Sequence, residues 1–413
     1  MKPSGLRTQR LIKRAKSVDQ RGTLIIDDDG DLVFSDNALL GEKEFLDQRL
    51  YPLKDVNVGS VAWCVMWGIA VGGGNTSSYW KTQMNGLSLN RSIHDPSLVM
   101  NSGAKETGIE IFGSIRMNDT HDSFGKPHGD LDYPLKVDHP EWLVGNKDEI
   151  GDIFSNPKSL YWSALNYSVL EVRQDRLWWI RNTAKSYDFD GIDLNFFRMP
   201  YYFPDGGTNK NIQLMNQFLR DSREVLDLCE SSQNRPILMG VRVPGSIESC
   251  LRIGLDVETW LKEGLIDRLL IGGGYDPFNA PYDELVQIGH DNDVPVYPCI
   301  NCGSPSLGSD EDLRGAASNI FSTKADGIYL WNYHYKDGPK LSYGRPTKED
   351  YNLLLEIKSV DSMLYLDKNF SVEGGIYELG KNLPYSIASD YGQLPVSLGK
   401  TALSVLRFLS LKV

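Results

Sequence analysis

Asp193 and Asn195 lie on one face of a predicted strand, inside the stretch GIDLNFFR (191–198). Successive side chains of a strand point to opposite faces, so the other face, from Ile192 to Phe196, is wholly apolar. The carboxylate and the amide are about 6.6 Å apart along such a strand. They are therefore close enough to act on one ligand.

A carboxylate inside a sheet needs a reason, because burying a bare charge costs several kcal/mol unless the charge is paired or hydrogen-bonded. One alternative for Asp193 is a structural ion pair with Arg116, Arg198 or Arg242. The other is acid–base chemistry, in which two carboxyl groups with different environments share the work.

Eight apolar runs alternate with helical segments from residue 61 onward, as a parallel sheet covered by helices requires. The runs are 61–67, 109–116, 161–167, 191–197, 237–243, 266–272, 294–300 and 327–333. This α/β pattern predicts a (β/α)8 TIM barrel with a short N-terminal extension and a small C-terminal β appendage. An open doubly wound sheet is less favoured, because no glycine-rich phosphate loop follows the first run in the required form.

The predicted barrel occupies residues 55–355. Residues 1–54 form the extension, in which GTLIIDDDGDLVF (22–34) is typical of a strand and turn. Residues 356–413 form the appendage, where short strand-like runs alternate with Gly and Pro.

The carboxyl ends of the strands in a parallel barrel form one mouth, where active sites gather. The polar and aromatic residues predicted there match a saccharide, since its hydroxyls need polar partners and its C–H faces stack on rings. Hydrolysis of a glycosidic bond further requires two carboxyl groups that flank the bond. The catalytic candidates are Asp193, Asn195, Asp119, Asp122 and Asp276. The substrate-binding candidates are Arg116, Asn118, His121, Asn166, Arg198, Tyr202, Arg242, Tyr275, Trp331 and Tyr333.

Five stretches, in order along the chain, resemble the family-10-like glycosyl hydrolases with TIM barrels. They are RMNDTHD (116–122), HPEWLVG (139–145), ALNYSVLEVRQ (164–174), YDFDGIDLNFFRMPYYF (187–203) and GLDVETWLKEGLIDRLLIGGG (254–274). The resemblance spans about residues 40–350 and implies a carbohydrate-active enzyme that hydrolyses O-glycosyl bonds, without naming the sugar or linkage.

One residue departs from the family pattern DGIxLDFFR, which is acidic at both inward positions of strand 4. The second of these positions is Asn195 here. Either the enzyme works with an amide at this position, or the site is weakened, or the residue is a substitution.

Two other functions remain open. A non-catalytic carbohydrate-binding barrel is compatible with the amide at Asn195, and a metal-dependent hydrolase could use the Asp119, His121 and Asp122 loop. We expect neither a metal nor another cofactor, because no third ligand cluster stands out.

The formal charge of −12 argues against nucleic acid as a partner, since phosphate requires a basic face. The short basic segment 7–16 is expected on the surface. No apolar run approaches the roughly 20 residues that cross a bilayer. No hydrophobic leader follows Met1, a pattern typical of a cytosolic protein or of one supplied without its leader, so the compartment and the oligomeric state stay open.

Five cysteines, an odd number, do not suggest a disulfide framework. Cys299 and Cys302 form a CxxC, but no second pair completes a zinc site. The thiols are expected to be buried and chemically inert.

Overall fold

Eight parallel strands pair in chain order and close into a barrel. The computed structural model describes residues 8–14, 23–28, 41–56, 58–65, 95–124, 133–149, 161–273, 282–301, 309–331, 333 and 348–370. The strands are β1 (Leu24–Asp28), β2 (Val58–Cys64), β3 (Glu110–Arg116), β4 (Gly191–Asn195), β5 (Leu238–Val243), β6 (Arg268–Ile271), β7 (Val296–Asn301) and β8 (Ile328–Trp331). The predicted (β/α)8 fold is confirmed.

Helices follow the strands along the chain. They are α1 (residues 8–14), α2 (Glu42–Arg49), α3 (Pro96–Thr107), α4 (Pro134–Asp138), α5 (Leu170–Ser186), α6 (Asn209–Gln233), α7 (Ile247–Arg252), α8 (Val257–Lys262), α9 (Asp283–Asp291), α10 (Asp310–Ser322), α11 (Lys348–Glu356) and α12 (Val360–Met363). Short 3-10 helices cover Tyr51–Val56, His121–Phe124, Pro140–Trp142 and Lys147–Glu149. Local side chains cap the first turns of several helices. Asp95 caps α3, and Ser309 forms a capping box on α10.

Two strand assignments from the sequence are wrong, although the number of strands is right. The first barrel strand is β1, which lies inside the stretch 1–54 that the sequence set apart as an extension. The run 161–167 forms no strand; its Leu165 makes only an isolated antiparallel bridge to Leu143. Of the predicted C-terminal appendage, residues 356–370 include α12, and residues 371–413 lie outside the described residues.

The alternation predicted for strand 4 is confirmed. Ile192 and Leu194 are fully buried in the hydrophobic layer between the strands and the helices. Asp193 and Asn195 point into the barrel, where they are buried as well. A second apolar cluster, which includes Tyr329, fills part of the barrel interior.

The basic N-terminal segment packs against the amino end of the barrel. Arg10 of α1 lies 2.6 Å from Asp227, 3.4 Å from Glu230 and 3.6 Å from Asp267, measured between the charged atoms. Arg223 completes this ion network, with contacts of 3.0 Å to Glu230 and 3.5 Å to Asp267. Because Arg10 is only 5% exposed, the expectation of a surface segment is wrong for this residue.

Four cysteines, Cys64, Cys229, Cys250 and Cys299, are buried free thiols, and Cys302 lies outside the described residues. Burial raises the pKa of the Cys299 thiol to about 12. Within the described ranges, no helix has the length and apolar character that a bilayer crossing demands.

We predict that Arg10→Gln lowers the free energy of unfolding by about 1–3 kcal/mol near neutral pH, because it removes a buried charge partner. Burial raises the pKa of Asp267, and Arg10 opposes that rise. Loss of Arg10 therefore penalises the ionised form, so the destabilisation should shrink as the pH falls through the pKa of the folded state. Urea unfolding at about pH 7 and about pH 4 measures the difference.

The matched control is Lys43→Gln, which breaks an exposed ion pair with Asp47 and should leave unfolding unchanged. An equal loss of stability at both pH values would contradict the coupling between Arg10 and Asp267.

Candidate active site

Arg116, Asn195 and Arg242 form one row of side chains at the carboxyl end of the barrel. They are register partners on β3, β4 and β5, so their backbones lie side by side. All three are buried. The Asn195 Oδ1 accepts a hydrogen bond of 3.1 Å from the Phe197 amide. We call this row the arginine rung; it sets an amide between two guanidinium-bearing neighbours.

Asp27, Trp331 and Asn301 form a second row, on β1, β8 and β7. The Tyr329 hydroxyl donates a hydrogen bond to the Asp27 carboxylate. Burial and the neighbouring Asp27 charge raise the pKa of Tyr329, so the phenol keeps its proton and remains a donor. We call this row the tryptophan rung. Its carboxylate had not been predicted.

The two rungs meet across the barrel through contacts between cations and rings. The Arg242 guanidinium lies 5.1 Å from the Trp331 ring centroid and 5.4 Å from that of Tyr329. The Arg198 guanidinium lies 5.3 Å from the Trp331 ring. Such contacts are attractive because the ring face carries negative quadrupole density. The structure thus brings together predicted residues from the fourth, fifth and eighth strands.

The loop after β3 contributes two carboxylates. Asp119 is partly accessible to solvent, and Asp122 is hydrogen-bonded within the protein. Arg116 donates to Asp119 over 2.7 Å, and the Asp119 side chain is a quarter exposed. Asp122 instead accepts hydrogen bonds from Lys136 at 3.0 Å and from Ser163 at 2.8 Å. Asp119 is therefore the better placed of the two to meet a ligand.

Two predicted ligand-binding residues have their polar groups bound within the protein. The Asn118 Nδ2 donates to the carbonyls of Leu165 and Tyr201, at 3.0 and 2.5 Å, and its Oδ1 accepts from the Leu165 amide at 2.8 Å. The Tyr202 hydroxyl donates to the Phe196 carbonyl at 2.6 Å, and the side chain is buried. These contacts hold the loops that surround the mouth.

The other predicted residues divide between described and undescribed parts of the chain. Asn166 is partly exposed, and its Oδ1 accepts from the Ser168 amide at 2.9 Å. Tyr333 is fully buried. Tyr275 and Asp276 lie outside the described residues, as does the side chain of His121.

Asp193 lies one step deeper than Asn195, and Arg268 of β6 binds both of its carboxylate oxygens. The Arg268 Nε donates to Oδ1 at 2.9 Å and Nη2 donates to Oδ2. Arg268 also donates to Ser60 at 3.0 Å, and its guanidinium covers the Phe112 ring at 3.2 Å. A Cβ at Gly240 would lie 2.0 Å from the Asp193 Oδ1, so the pair requires glycine there.

The arginine that neutralises Asp193 is therefore not one of the three named from the sequence. Arg268 and Leu270 lie two residues apart in an apolar run, so they share one face of the strand. An arginine on such a face was a weak signal of a charge inside the barrel. For Asp27 the signal was the strand-like run LIIDD, in a stretch assigned to the extension. The catalytic role of Asp193 stays a prediction.

Metal ligation finds little support in the geometry of the described residues, which hold no group of three or more His, Cys, Asp and Glu side chains suited to an ion. Two candidate donors, Asp119 and Asp122, are engaged by Arg116 and Lys136.

No protein-family model matches the chain, and no curated protein matches it either. Similar solved structures include a maltogenic α-amylase from Thermotoga neapolitana, with 15% identity over 82% of this chain and 76% of that one and a TM-score of 0.47. The glycoside hydrolase domain of PgaB from Bordetella bronchiseptica has 11% identity over 82% and 99% of the two chains and a TM-score of 0.48. An α-galactosidase from Geobacillus stearothermophilus has 12% identity over 88% of this chain and a TM-score of 0.45, and the match spans only 46% of its length. The similarity of this chain to these three structures concerns the fold alone.

Asp193→Asn is expected to lower the free energy of unfolding by about 3–5 kcal/mol, because it leaves the buried Arg268 charge without its carboxylate. The double variant with Arg268→Gln should lose less than the sum of the two single losses. Denaturant unfolding measures both quantities, with the exposed Asp47→Asn as the control that should not change. Wild-type stability in Asp193→Asn, accompanied by lost turnover, would instead identify Asp193 as a catalytic residue.

Proposed function

We propose that the protein is a glycoside hydrolase that cleaves an oligosaccharide or polysaccharide at the carboxyl end of its barrel. The observation that carries the proposal is the pair of rungs, which places carboxylate, amide, guanidinium and indole groups around one mouth. Carboxyl ends of barrel strands are where enzymes of this fold perform chemistry.

The chemical groups at the mouth complement a saccharide. Arg116 and Asn195 can orient hydroxyl groups through directional hydrogen bonds, and the half-buried ring of Trp331 offers apolar surface to a sugar face. At the opposite end of the barrel, the ion network around Arg10 and the Asp193–Arg268 pair engage several of the charged residues. The polar lining of the carboxyl end thus supports ligand binding there.

For the chemistry we propose Asp119 and Asp27 as the carboxylate pair. Contact with Arg116 favours the ionised form of Asp119, which suits a nucleophile or a base. Asp27 would then be the second carboxyl group that flanks the bond. Asp276, named from the sequence, remains a further candidate for either role. Asp193 is proposed to act structurally, since Arg268 occupies both of its oxygens.

The second candidate function is a non-catalytic carbohydrate-binding barrel. The observation that favours it is the amide at Asn195, because an amide can hydrogen-bond but cannot transfer a catalytic proton or attack a sugar carbon. Binding without hydrolysis, across a panel of plant, algal and bacterial polysaccharides, would select this function over the first.

Release of reducing ends from that panel tests hydrolysis. Asp119→Asn and Asp27→Asn should each lower turnover at least about a hundredfold on whichever polysaccharide is cleaved, as expected for loss of a positioned acid or base. Thermal unfolding of each variant should stay close to that of the wild type. The exposed Asp361→Asn serves as the control and should keep full activity. Normal turnover in both active-site variants would remove this carboxylate pair from the mechanism.

Asn195→Asp is expected to raise turnover at least about a hundredfold, because it restores the acidic residue of the family pattern. The new carboxylate would lie between Arg116 and Arg242, whose positive charges favour its ionised form, as a nucleophile or base requires. Substrate affinity should change much less, since the two side chains are nearly isosteric. Asn195→Ala is the control that removes the amide without adding charge. A rate that stays unchanged or falls in Asn195→Asp would identify Asn195 as a native positioning residue.

A further inference from the structure

We propose that Arg198, Trp331 and Arg242 form a subsite for an anionic group, so that the substrate is a saccharide bearing carboxylates, such as a uronic acid. We call these three residues the anion subsite. The inference rests on the proposed function in placing a saccharide at the mouth, and it adds the chemical class of that saccharide.

The indole N–H of Trp331 is the first observation. Its Nε1 atom is buried from solvent, and among the residues that the structure describes it has no hydrogen-bond acceptor. A buried donor without an acceptor costs about 1–3 kcal/mol, so such groups are rare in folded proteins and call for an explanation. The neighbouring Asp27 carboxylate accepts from Tyr329 and makes no hydrogen bond with this Nε1. A ligand oxygen can supply the missing acceptor.

The two guanidiniums are the second observation, and they indicate the charge of that ligand. Arg198 and Arg242 lie 5.3 and 5.1 Å from the Trp331 ring centroid. An oxygen at about 2.9 Å from Nε1 would therefore lie in the positive potential of both arginines. Arginine pairs well with carboxylates because its planar fork matches their two oxygens. A neutral hydroxyl would also accept from Nε1, but it would gain much less from the two positive charges.

The position of the anion subsite connects it to the proposed chemistry. Trp331 is the register neighbour of Asp27, a proposed catalytic carboxyl group, and Arg242 is the register neighbour of Asn195. A sugar whose acid group is held by the subsite would thus lie beside both rungs. The acid group would then help to fix which bond meets the carboxylates.

The test compares acids with their uncharged esters. Calorimetric titration would use D-glucuronate and D-galacturonate against the methyl ester of each, which keeps the shape and removes the charge. We expect each acid to bind at least about tenfold more tightly than its ester. Trp331→Phe, which keeps a ring and removes the N–H, should weaken binding of the acid about tenfold and leave that of the ester within about twofold.

Two matched controls separate the subsite from general effects of substitution. Trp178→Phe changes a partly buried indole on α5, outside the barrel, and should leave both affinities unchanged. Arg198→Gln should weaken binding of the acid selectively, whereas Arg220→Gln, which breaks a surface pair with Glu263, should not.

The outcomes distinguish this inference from the proposed hydrolase. Equal affinity for acid and ester, no measurable binding of either acid, or an unchanged acid affinity in Trp331→Phe would overturn the anion subsite. Hydrolysis of neutral polysaccharides could still stand in each of those cases. Selective acid binding that depends on Trp331, with no hydrolysis of any polysaccharide, would uphold the subsite and overturn the hydrolase.

Discussion

The parallel pairing of β1 with β8 is the interaction on which the rest of the site depends. It closes the sheet, so no strand edge is left exposed, and it brings together residues about 300 positions apart in the chain. The same register sets Asp27 beside Trp331 and lets the Tyr329 hydroxyl reach the Asp27 carboxylate. Without this closure the tryptophan rung would not exist, and Arg242 would have no aromatic partner across the barrel.

Local periodicity predicted the strands whose apolar faces are continuous, and it predicted a strand in the β1 region but placed it outside the barrel. The alternation at Ile192 and Leu194 was sufficient because the outer hydrophobic layer imposes it directly. β1 carries Asp27 and Asp28, which resemble a turn in the sequence. Their carboxylates accept hydrogen bonds from Tyr329 and Arg49 respectively, neither of which is adjacent in the chain. A strand that depends on distant partners for its polar residues cannot be assigned to the barrel from its own pattern.

The candidate site could be predicted only in part, for the same physical reason. Its location followed from the direction of the strands, and Arg116, Asn195, Arg242 and Trp331 do line the carboxyl end. The roles of individual residues depended on contacts that the sequence does not contain. Asn118 looked like a ligand-binding amide, yet its partners lie 47 and 83 residues away and consume both of its polar groups. Asp193 was predicted to be a catalytic carboxylate, and the sequence did not reveal that Arg268, 75 residues later, binds both of its oxygens.

The charged residues at the two ends of the barrel make different kinds of contact. This difference bears on whether the residues of each end stabilise the fold or act on a ligand. At the amino end, Asp193 and Arg268 satisfy each other almost completely, which favours rigidity, since removing either charge leaves the other buried alone. At the carboxyl end, the cations lie over aromatic rings, and within the described part of the chain the Trp331 Nε1 donor has no acceptor. A buried donor without an acceptor costs stability, and a ligand that supplies the acceptor would explain why the Trp331 donor is kept. The amide at Asn195, between Arg116 and Arg242, is the feature on which the two proposed functions, binding alone and hydrolysis, differ.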